Sequence, residues 1–452
     1  MKPISPARKA AFAILLAVER GAHSDEMLRG NAVAALNEQD RSLATALLLG
    51  ALRWQLVLDL RIRPLLKRPN AKLDPEVLAA LRLGAFQLLF LDRIPTHAAI
   101  DESVELAKAA GHRFASGMIN AVLRRLAEIP RAERLTDELA AHPEWMVERW
   151  RRFFGEERTR AICAYGQKQP ATSVRLEDAA AEAELAEEGA QIAPGELLRN
   201  ARTVVAGNAS GTEAIRTGSV RIQDEGSQLV AEIAGQGSEI LDCCAAPGGK
   251  TLILAERNPQ ARILACEANQ PRMDALRRRL RPISERIVCE LADAATLAYV
   301  NRFDLVLADV PCSGTGTMGR NPEIRHRLQA DDFARHAARQ RAILASALRT
   351  ARPGGRVVYS TCSLEPEESE EVIAAALLDH PDARVQPISE RIDTMGNEGI
   401  LVPGAADRLK ASVTAEGFLR LFPGDFGTDG FFVAIISRPP GALHSGESLR
   451  SS

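Results

Sequence analysis

From residue 236 onward, short apolar runs alternate with helical segments, and this alternation constrains the fold more than any other feature of the sequence. The runs consist mainly of aliphatic residues, as buried strands do. They occupy residues 240–241, 262–266, 286–289, 303–308, 355–359 and 431–436. Because parallel strands require long crossovers, strands separated by helices predict a mostly parallel sheet with helices on both faces. Ligands bind at the carboxyl ends of the strands in such sheets.

The rest of the chain divides into segments of different periodicity. Residues 1–140 carry apolar residues at helical spacing and are predicted to form an all-α bundle. Residues 141–235 contain an acidic stretch and short strand-like runs, which predict a small α+β connector domain. These runs cover residues 172–176, 203–205 and 219–222. The α/β domain follows at residues 236–440, and the Ser- and Gly-containing tail at 441–452 is predicted to be disordered.

Composition and charge narrow the class of protein without identifying it. The net charge of −2 over 452 residues favours no partner, but residues 1–160 hold 25 Lys and Arg against 20 Asp and Glu. Arginine also clusters at residues 272–286 and 320–341, which fits either a phosphate-lined path or solvated helix faces. The longest apolar stretch, residues 43–60, is interrupted by Arg53 and Asp59, so no membrane span is predicted.

Cysteine usage and the start of the chain point to the cytoplasm. Seven Cys occur without any C-x-x-C pair, which predicts reduced thiols and no metal site. Residues 1–9 are polar and basic and lack the apolar region of a signal peptide.

A Gly-rich turn, residues 246–251, follows the first predicted strand and opens a helix. Glycines at such a position allow the backbone to approach a ligand closely and leave helix N–H groups free. The Lys250-Thr251 ending resembles a phosphate-binding loop, but that motif requires Gly where this chain has Cys244. The dinucleotide pattern G-x-G-x-x-G is also absent from the sequence. The turn is therefore predicted to bind a ligand other than a nucleoside triphosphate or a dinucleotide.

Acidic residues follow the next three strands. Glu267 ends the second strand, where a carboxylate can accept hydrogen bonds from both hydroxyls of a ribose. Asp293 follows the third strand and is a candidate for binding an adenine amino group. Asp309 ends the fourth strand, where a carboxylate can hold the protonated form of a heterocycle.

Two thiols also stand at strand ends. Cys312 lies in the sequence Asp-Val-Pro-Cys-Ser-Gly after the fourth strand, and Cys362 lies in Ser-Thr-Cys-Ser after the fifth. Most single Cys are small buried residues, and we expect that of Cys163, Cys266 and Cys289. The strand-end positions and polar neighbours of Cys312 and Cys362 favour nucleophilic chemistry beside the ligand instead. The residues alone leave open which of these two thiols attacks.

These motifs together resemble the RsmB (Sun/Fmu) family of ribosomal RNA cytosine-C5 methyltransferases, within the Nop2/Sun group. The resemblance is carried by residues 223–228, 242–251, 309–316, 321–324, 361–363 and 427–432. Residues 1–130 resemble the NusB-like RNA-binding domain, notably at residues 40–41, 95–100 and 120–124.

The resemblance implies a Rossmann-like methyltransferase domain that takes S-adenosylmethionine as methyl donor and small-subunit ribosomal RNA as substrate. It implies Cys362 as nucleophile and Cys312 as the residue that aids product release, with Lys250 and Asp309 facing the target base. The matching cofactor positions are Cys244, Ala245, Ala246, Pro247, Gly248, Gly249, Lys250, Glu267, Asp293 and Asp309. Two positions depart from the family pattern, because many relatives have Asp in place of Glu267 and Gly in place of Ala292.

Three alternatives compete with cytosine-C5 methylation of ribosomal RNA. Methylation of an exocyclic amine usually uses an aromatic residue near the position that Cys312 occupies. A non-catalytic RNA-binding or antitermination protein would need the NusB-like domain but not the thiols or the turn. A methyltransferase for another RNA, such as tRNA, would share all these motifs. We expect a monomeric cytoplasmic enzyme whose target base is unstacked, since C5 cannot be reached within a stack.

Overall fold

A computed structural model describes residues 3–130, 137–207 and 209–439. The chain forms two compact units. A helical unit comprises residues 1–169 and 317–328, and a sheet unit comprises residues 170–316 and 329–452. The predicted disordered tail, 441–452, lies outside the described residues.

The helical unit confirms the predicted all-α bundle wherever residues 1–140 are described. The helices are α1 (Pro6–Glu19), α2 (Ser24–Leu28), α3 (Asn31–Ala34), α4 (Glu38–Arg53), α5 (Gln55–Ile62), α6 (Pro75–Phe90), α7 (Thr96–Ala109), α8 (Ser116–Ala127) and α9 (Glu144–Gln167). Proline begins α1 and α6, because its fixed φ suits the first helical turn and the backbone N–H at that position has no partner within the helix. The apolar faces of α1, α4, α6, α7 and α8 share one core.

A segment from the second half of the chain is built into this helical unit. Residues 317–328, which contain the short helix Ile324–Arg327, follow the Cys312 turn directly. The carboxylate of Glu323 accepts hydrogen bonds from the backbone N–H (2.9 Å) and the hydroxyl (2.8 Å) of Ser24. Arg325 is buried and donates to the carbonyls of Ala141 at 3.3 Å and Gly166 at 2.9 Å. This segment is therefore part of the folded core of the helical unit.

The sheet unit begins with a small antiparallel sheet. Its strands are β1 (Thr172–Leu176), β2 (Gln191–Pro194), β3 (Ala201–Ala206) and β4 (Val220–Ile222), and its helices are α10 (Ala179–Glu187) and α11 (Glu213–Thr217). The strands lie in the order β2-β3-β1-β4. The three predicted runs correspond to β1, β3 and β4. Strand β2 was not predicted, because it is four residues long and lacks alternating burial. Helix α9, which the sequence grouped with this connector, belongs to the helical unit by its contacts.

The strands of the main sheet are β5 (Glu239–Asp242), β6 (Arg262–Glu267), β7 (Ile287–Leu291), β8 (Phe303–Asp309), β9 (Ala351–Thr361), β10 (Arg384–Gln386), β11 (Leu419–Leu421) and β12 (Phe431–Ser437). They have the order β10-β12-β9-β8-β5-β6-β7, with β11 paired to β12. Strands β9, β8, β5, β6 and β7 are parallel, and β10, β11 and β12 add antiparallel pairs at one side. All six predicted runs form strands, which confirms the mostly parallel α/β sheet.

Helices cover both faces of this sheet, as predicted, and each face has its own apolar core. They are α12 (Glu225–Ala234), α13 (Gly249–Arg257), α14 (Gln270–Leu280), α16 (Asp332–Thr350), α17 (Glu370–Asp379), α18 (Ile388–Asn397) and α19 (Ala405–Lys410), with α15 (Ile324–Arg327) in the helical unit. The parallel strands end at Asp242, Glu267, Leu291, Asp309 and Thr361, so the predicted site residues follow at one edge of the sheet.

Membrane-spanning helices were sought among the described residues. No single helix there is long and apolar enough to cross a bilayer, and the bent pair Glu38–Arg53 and Gln55–Leu65 qualifies by length and composition alone.

Candidate active site

The Gly-rich turn connects β5 to α13 and brings backbone close to neighbouring groups. Gly248 has φ of 99°, a left-handed conformation that side chains other than glycine rarely adopt. A Cβ on Gly249 would lie 2.9 Å from the side-chain oxygen of Gln223. Arg272 fixes the start of the turn by donating to the carbonyl of Ala246 at 2.9 Å. The backbone of the turn is thus closely packed against Gln223 and Arg272.

A cavity of about 240 Å³ lies beside this turn and is lined by half of the predicted site residues. Residues of the turn and of the ends of β6, β8 and β9 contribute to its walls. Its lining includes Cys244, Ala246, Glu267, Asp309, Cys312 and Cys362, together with Arg272 and Arg339. The structure therefore joins the cofactor candidates of the turn and second strand to both thiols in one cavity.

Glu267 presents a buried carboxylate to this cavity. The residue is 5 % exposed, and its Oε1 accepts a hydrogen bond from the backbone N–H of Asn269 at 2.9 Å. Its Oε2 lies 3.5 Å from Nη1 of Arg272. Each oxygen has a further lone pair, so the carboxylate can also accept from a ligand diol. The ribose-binding role that the strand end predicts for Glu267 stays a prediction.

Asp309 and Lys250 form an ion pair where the cavity meets a second crevice. Nζ of Lys250 lies 2.7 Å from Oδ2 of Asp309, and the hydroxyl of Ser360 donates to Oδ1 at 2.7 Å. Burial lowers the pKa of Lys250, but the charge and hydrogen bond of Asp309 outweigh it and leave the pKa raised. The crevice, about 90 Å³, is also lined by Asp242 and Gln223. A proton donor and a carboxylate thus stand together on one wall.

The two thiols are in direct contact. The Sγ atoms of Cys312 and Cys362 are 3.3 Å apart, which is hydrogen-bonding distance for sulfur. The hydrogen bond between Cys362 and Cys312 and the burial of the site raise the pKa of Cys362 well above its ordinary value, while Lys250 opposes this. Cys362 is therefore a thiol at rest, and its proton must leave before its sulfur can attack.

Asp293 stands apart from the other candidates. Its carboxylate receives two hydrogen bonds from Arg339, at 2.8 and 2.6 Å, and one from the backbone N–H of Ala295 at 2.9 Å. The hydrogen bond of Arg339 lowers the pKa of Asp293. Ala294, rather than Asp293, lines the cavity. The adenine-binding role of Asp293 stays a prediction.

Two functional candidates were not predicted from the sequence. Asp242 lies within the motif at residues 242–251, but no role was predicted for it; it is fully buried, and desolvation raises its pKa to about 6. Glu368 was not considered, although it hydrogen-bonds to both thiol-bearing turns. Its neighbour Glu367 shares the same residue type in the same loop, so the sequence offered no signal to separate the two.

A Rossmann-like sheet with a glycine turn, a buried carboxylate at the next strand end and a cavity between them is the arrangement of a cofactor-binding α/β enzyme. Residues 233–437 match the family described as 16S rRNA methyltransferase RsmB/F. Residues 5–128 match the NusB family, and residues 142–204 match the RsmF/B-like ferredoxin-like domain.

Individual relatives agree with these matches. The chain is 31 % identical to the probable ribosomal RNA small subunit methyltransferase B of Bacillus subtilis, covering 95 % of this chain and 98 % of that protein. It is 34 % identical to the ribosomal RNA small subunit methyltransferase B of Pseudomonas putida, covering 91 % and 96 %. The crystal structure of PH0851 superposes with a TM-score of 0.79 at 24 % identity, covering 96 % and 99 %.

This chain belongs to the RsmB/F family of 16S rRNA methyltransferases. Its N-terminal domain is NusB-like, and the methyl donor of the family is S-adenosylmethionine. The cavity fits that donor by its chemistry, since it combines small turn residues with the buried carboxylate of Glu267. The resemblance found in the sequence is thereby confirmed.

Proposed function

We propose that this protein methylates C5 of a cytosine in 16S ribosomal RNA through a covalent bond between Cys362 and C6 of the base. The observation that carries the proposal is the pair of thiols in contact at 3.3 Å beside the Asp309–Lys250 ion pair. C5 of cytosine is a weak nucleophile, so a methyl acceptor of this kind needs activation before it reacts. A thiolate added at C6 supplies that activation by turning the ring into an enamine.

The remaining residues support addition and release. Asp309 and Lys250 would hold a proton at N3 and so stabilise the charge that develops on the ring during addition. Cys312, whose sulfur contacts Cys362, would assist elimination of the Cys362 thiolate after the C5 proton has left. When bound, S-adenosylmethionine supplies an electrophilic methyl group. Cys244 to Lys250, Glu267, Asp293 and Asp309 would hold it.

The proposed substrate, ribosomal RNA, determines how the target base reaches the cavity and where the reaction takes place. The NusB-like helical unit would bind RNA outside the cavity, and the target cytosine would have to leave its stack to reach Cys362. The relatives named after small-subunit ribosomal RNA support that RNA as the substrate. We propose that the enzyme acts as a monomer in the cytoplasm, where ribosomal RNA is assembled into subunits.

The division of labour between the thiols gives the test. Cys362→Ala should abolish methylation and leave cofactor binding intact, whereas Cys312→Ala should accumulate a covalent protein–RNA adduct, because release stalls. Labelled RNA on denaturing gels detects the adduct, and Cys289→Ala, on β7 away from the cavity, is the control. An adduct from Cys362→Ala but none from Cys312→Ala would reverse the roles. Normal activity of both variants would exclude the mechanism.

A further inference from the structure

Glu368 is a buried carboxylate that touches neither the cavity nor the Asp309–Lys250 pair. It ends the short 3-10 helix Pro366–Glu368 that follows β9, and it is 0 % exposed. It does not line the cavity that contains Cys312 and Cys362. A carboxylate removed from water needs several hydrogen bonds to offset its desolvation.

Those hydrogen bonds come from both thiol-bearing turns. Oε2 accepts from the backbone N–H of Ser313 at 2.9 Å, and Oε1 accepts from the hydroxyl of Ser363 at 2.9 Å. Ser313 and Ser363 directly follow Cys312 and Cys362 in the chain. The side-chain amide of Gln340 on α16 also donates to Oε2 at 2.9 Å and so fixes the position of the carboxylate. One side chain thus connects the two backbone segments that carry the sulfurs.

Further contacts join the same two turns directly. The hydroxyls of Ser313 and Ser363 are 3.0 Å apart, and the N–H of Gly316 donates to the carbonyl of Cys362 at 2.8 Å. A Cβ on Gly316 would stand 2.7 Å from that carbonyl oxygen and 2.6 Å from the carbonyl oxygen of Gly430. Only glycine allows this approach. The separation of the turns is therefore set by close contacts, with Glu368 as their charged member.

We propose that Glu368 is a positioning residue that sets the distance between the sulfurs of Cys312 and Cys362. This inference rests on the proposed function for its catalytic consequence but not for its geometry. Without the carboxylate, the N–H of Ser313 and the hydroxyl of Ser363 lose a shared acceptor, and the two turns separate. A displacement of about 1 Å at reacting atoms costs on the order of 100-fold in rate.

The test measures the distance between the thiols and the methylation rate independently. Diamide oxidises a close thiol pair: two S–H bonds break, one S–S bond forms, and the two hydrogens reduce the reagent to its hydrazine. Mass spectrometry of the Cys312–Cys362 peptide follows this rate in the full-length protein without RNA or cofactor. Glu368→Gln keeps the shape and one acceptor oxygen, Glu368→Ala removes both, and Glu371→Gln, on the exposed side of α17, is the control.

We expect Glu368→Ala to lower both the cross-linking rate and kcat by about 100-fold, with the KM for S-adenosylmethionine unchanged. Glu368→Gln should lower both by about 10-fold, because neutral acceptors bind less strongly than charged ones, and Glu371→Gln should change neither. A lower melting temperature with unchanged cross-linking would make Glu368 merely structural and overturn the proposal. A fall in kcat with unchanged cross-linking would also overturn it. Slower cross-linking in Glu368→Gln combined with no methylation by the wild type would reject the proposed function and keep the positioning role.

Discussion

Asp242 carries a carboxylate into a fully buried position at the end of β5. Burial raises its pKa to about 6 from an ordinary value of 3.8, despite a hydrogen bond of 2.7 Å from the hydroxyl of Thr251. The folded state therefore holds this proton more tightly than the unfolded state does. Its contribution to stability is present in acid and is lost as the pH rises through about 6.

Asp242→Asn should consequently stabilise the protein most at neutral pH, because the amide mimics the protonated acid and can still accept from Thr251. Its advantage in the free energy of unfolding should grow by about 1.4 kcal/mol between about pH 5 and pH 7.5 and then stay constant. Urea titrations at several pH values measure this difference. Asp274→Asn, an exposed change on α14, is the control and should show no such growth. An advantage that shrinks with pH would show that Asp242 is ionised in the folded state even in acid.

Glu267 gives a second prediction at the residue scale. Its carboxylate would accept from the ribose hydroxyls of the cofactor, and charge-assisted hydrogen bonds contribute roughly 1.5–3 kcal/mol each. Glu267→Ala should weaken binding of S-adenosylhomocysteine by about 10- to 100-fold, and Glu267→Gln by less, since it keeps an acceptor. Calorimetric titration measures both. Glu290→Ala on neighbouring β7, whose carboxylate accepts from Tyr299, is the control, and equal affinity of Glu267→Ala and wild type would exclude the ribose role.

A site residue could be predicted from the sequence only where the backbone alone determines its position. Glu267, Asp309, Cys312 and Cys362 follow parallel strands, so topology brings them to one edge whatever their side chains do. Asp293 also follows a strand, but its side chain binds Arg339 from α16, 46 residues further along the chain. Such long-range side-chain pairing leaves no trace in local spacing. For the same reason, the role of Glu368 was not visible in the sequence.

At the scale of elements, chain length and periodicity determined what the sequence could predict. Long buried strands such as β8 and β12 appear in the sequence as apolar runs because both of their faces are covered. The strands β10 and β11 have three residues each, too few to show a period, and they exist because β12 offers them a partner. Pairing across the sheet, rather than local propensity, makes these strands.

The turn before α13 gives a prediction at this scale. Gly248 and Gly404 both precede a helix with positive φ, 99° and 76°, but only Gly248 is crowded: its Cβ would lie 2.9 Å from Leu276. Gly404→Ala should cost about 1–2 kcal/mol of stability through backbone strain alone. Gly248→Ala should cost about 1–3 kcal/mol more through overpacking and should also weaken cofactor binding. Denaturant unfolding and calorimetry measure these effects, and equal costs for the two variants would show that Leu276 yields freely.

At the scale of the whole molecule, residues 317–328 make the helical unit depend on a distant part of the chain. Deleting residues 1–140 to test RNA binding would leave Glu323 without Ser24 and the carbonyl of Gly319 without its donor, Arg53. Such a deletion would disturb the segment that directly follows the Cys312 turn. Single substitutions that keep both units are therefore the sharper probe.

Arg325 provides that probe. Burial lowers its pKa to about 9, and its planar guanidinium reaches several carbonyls at once, including those of Ala141 and Gly166. Arg325→Lys keeps the charge but cannot form this fork, so it should destabilise the protein by about 2–4 kcal/mol, whereas Arg335→Lys, exposed on α16, should be neutral. Hydrogen exchange should show loosening in α9 and in residues 313–328, and methylation should fall although Arg325 lies outside the cavity. Unchanged exchange in residues 313–316 with normal activity would show that the Cys312 turn is held independently of the segment that follows it.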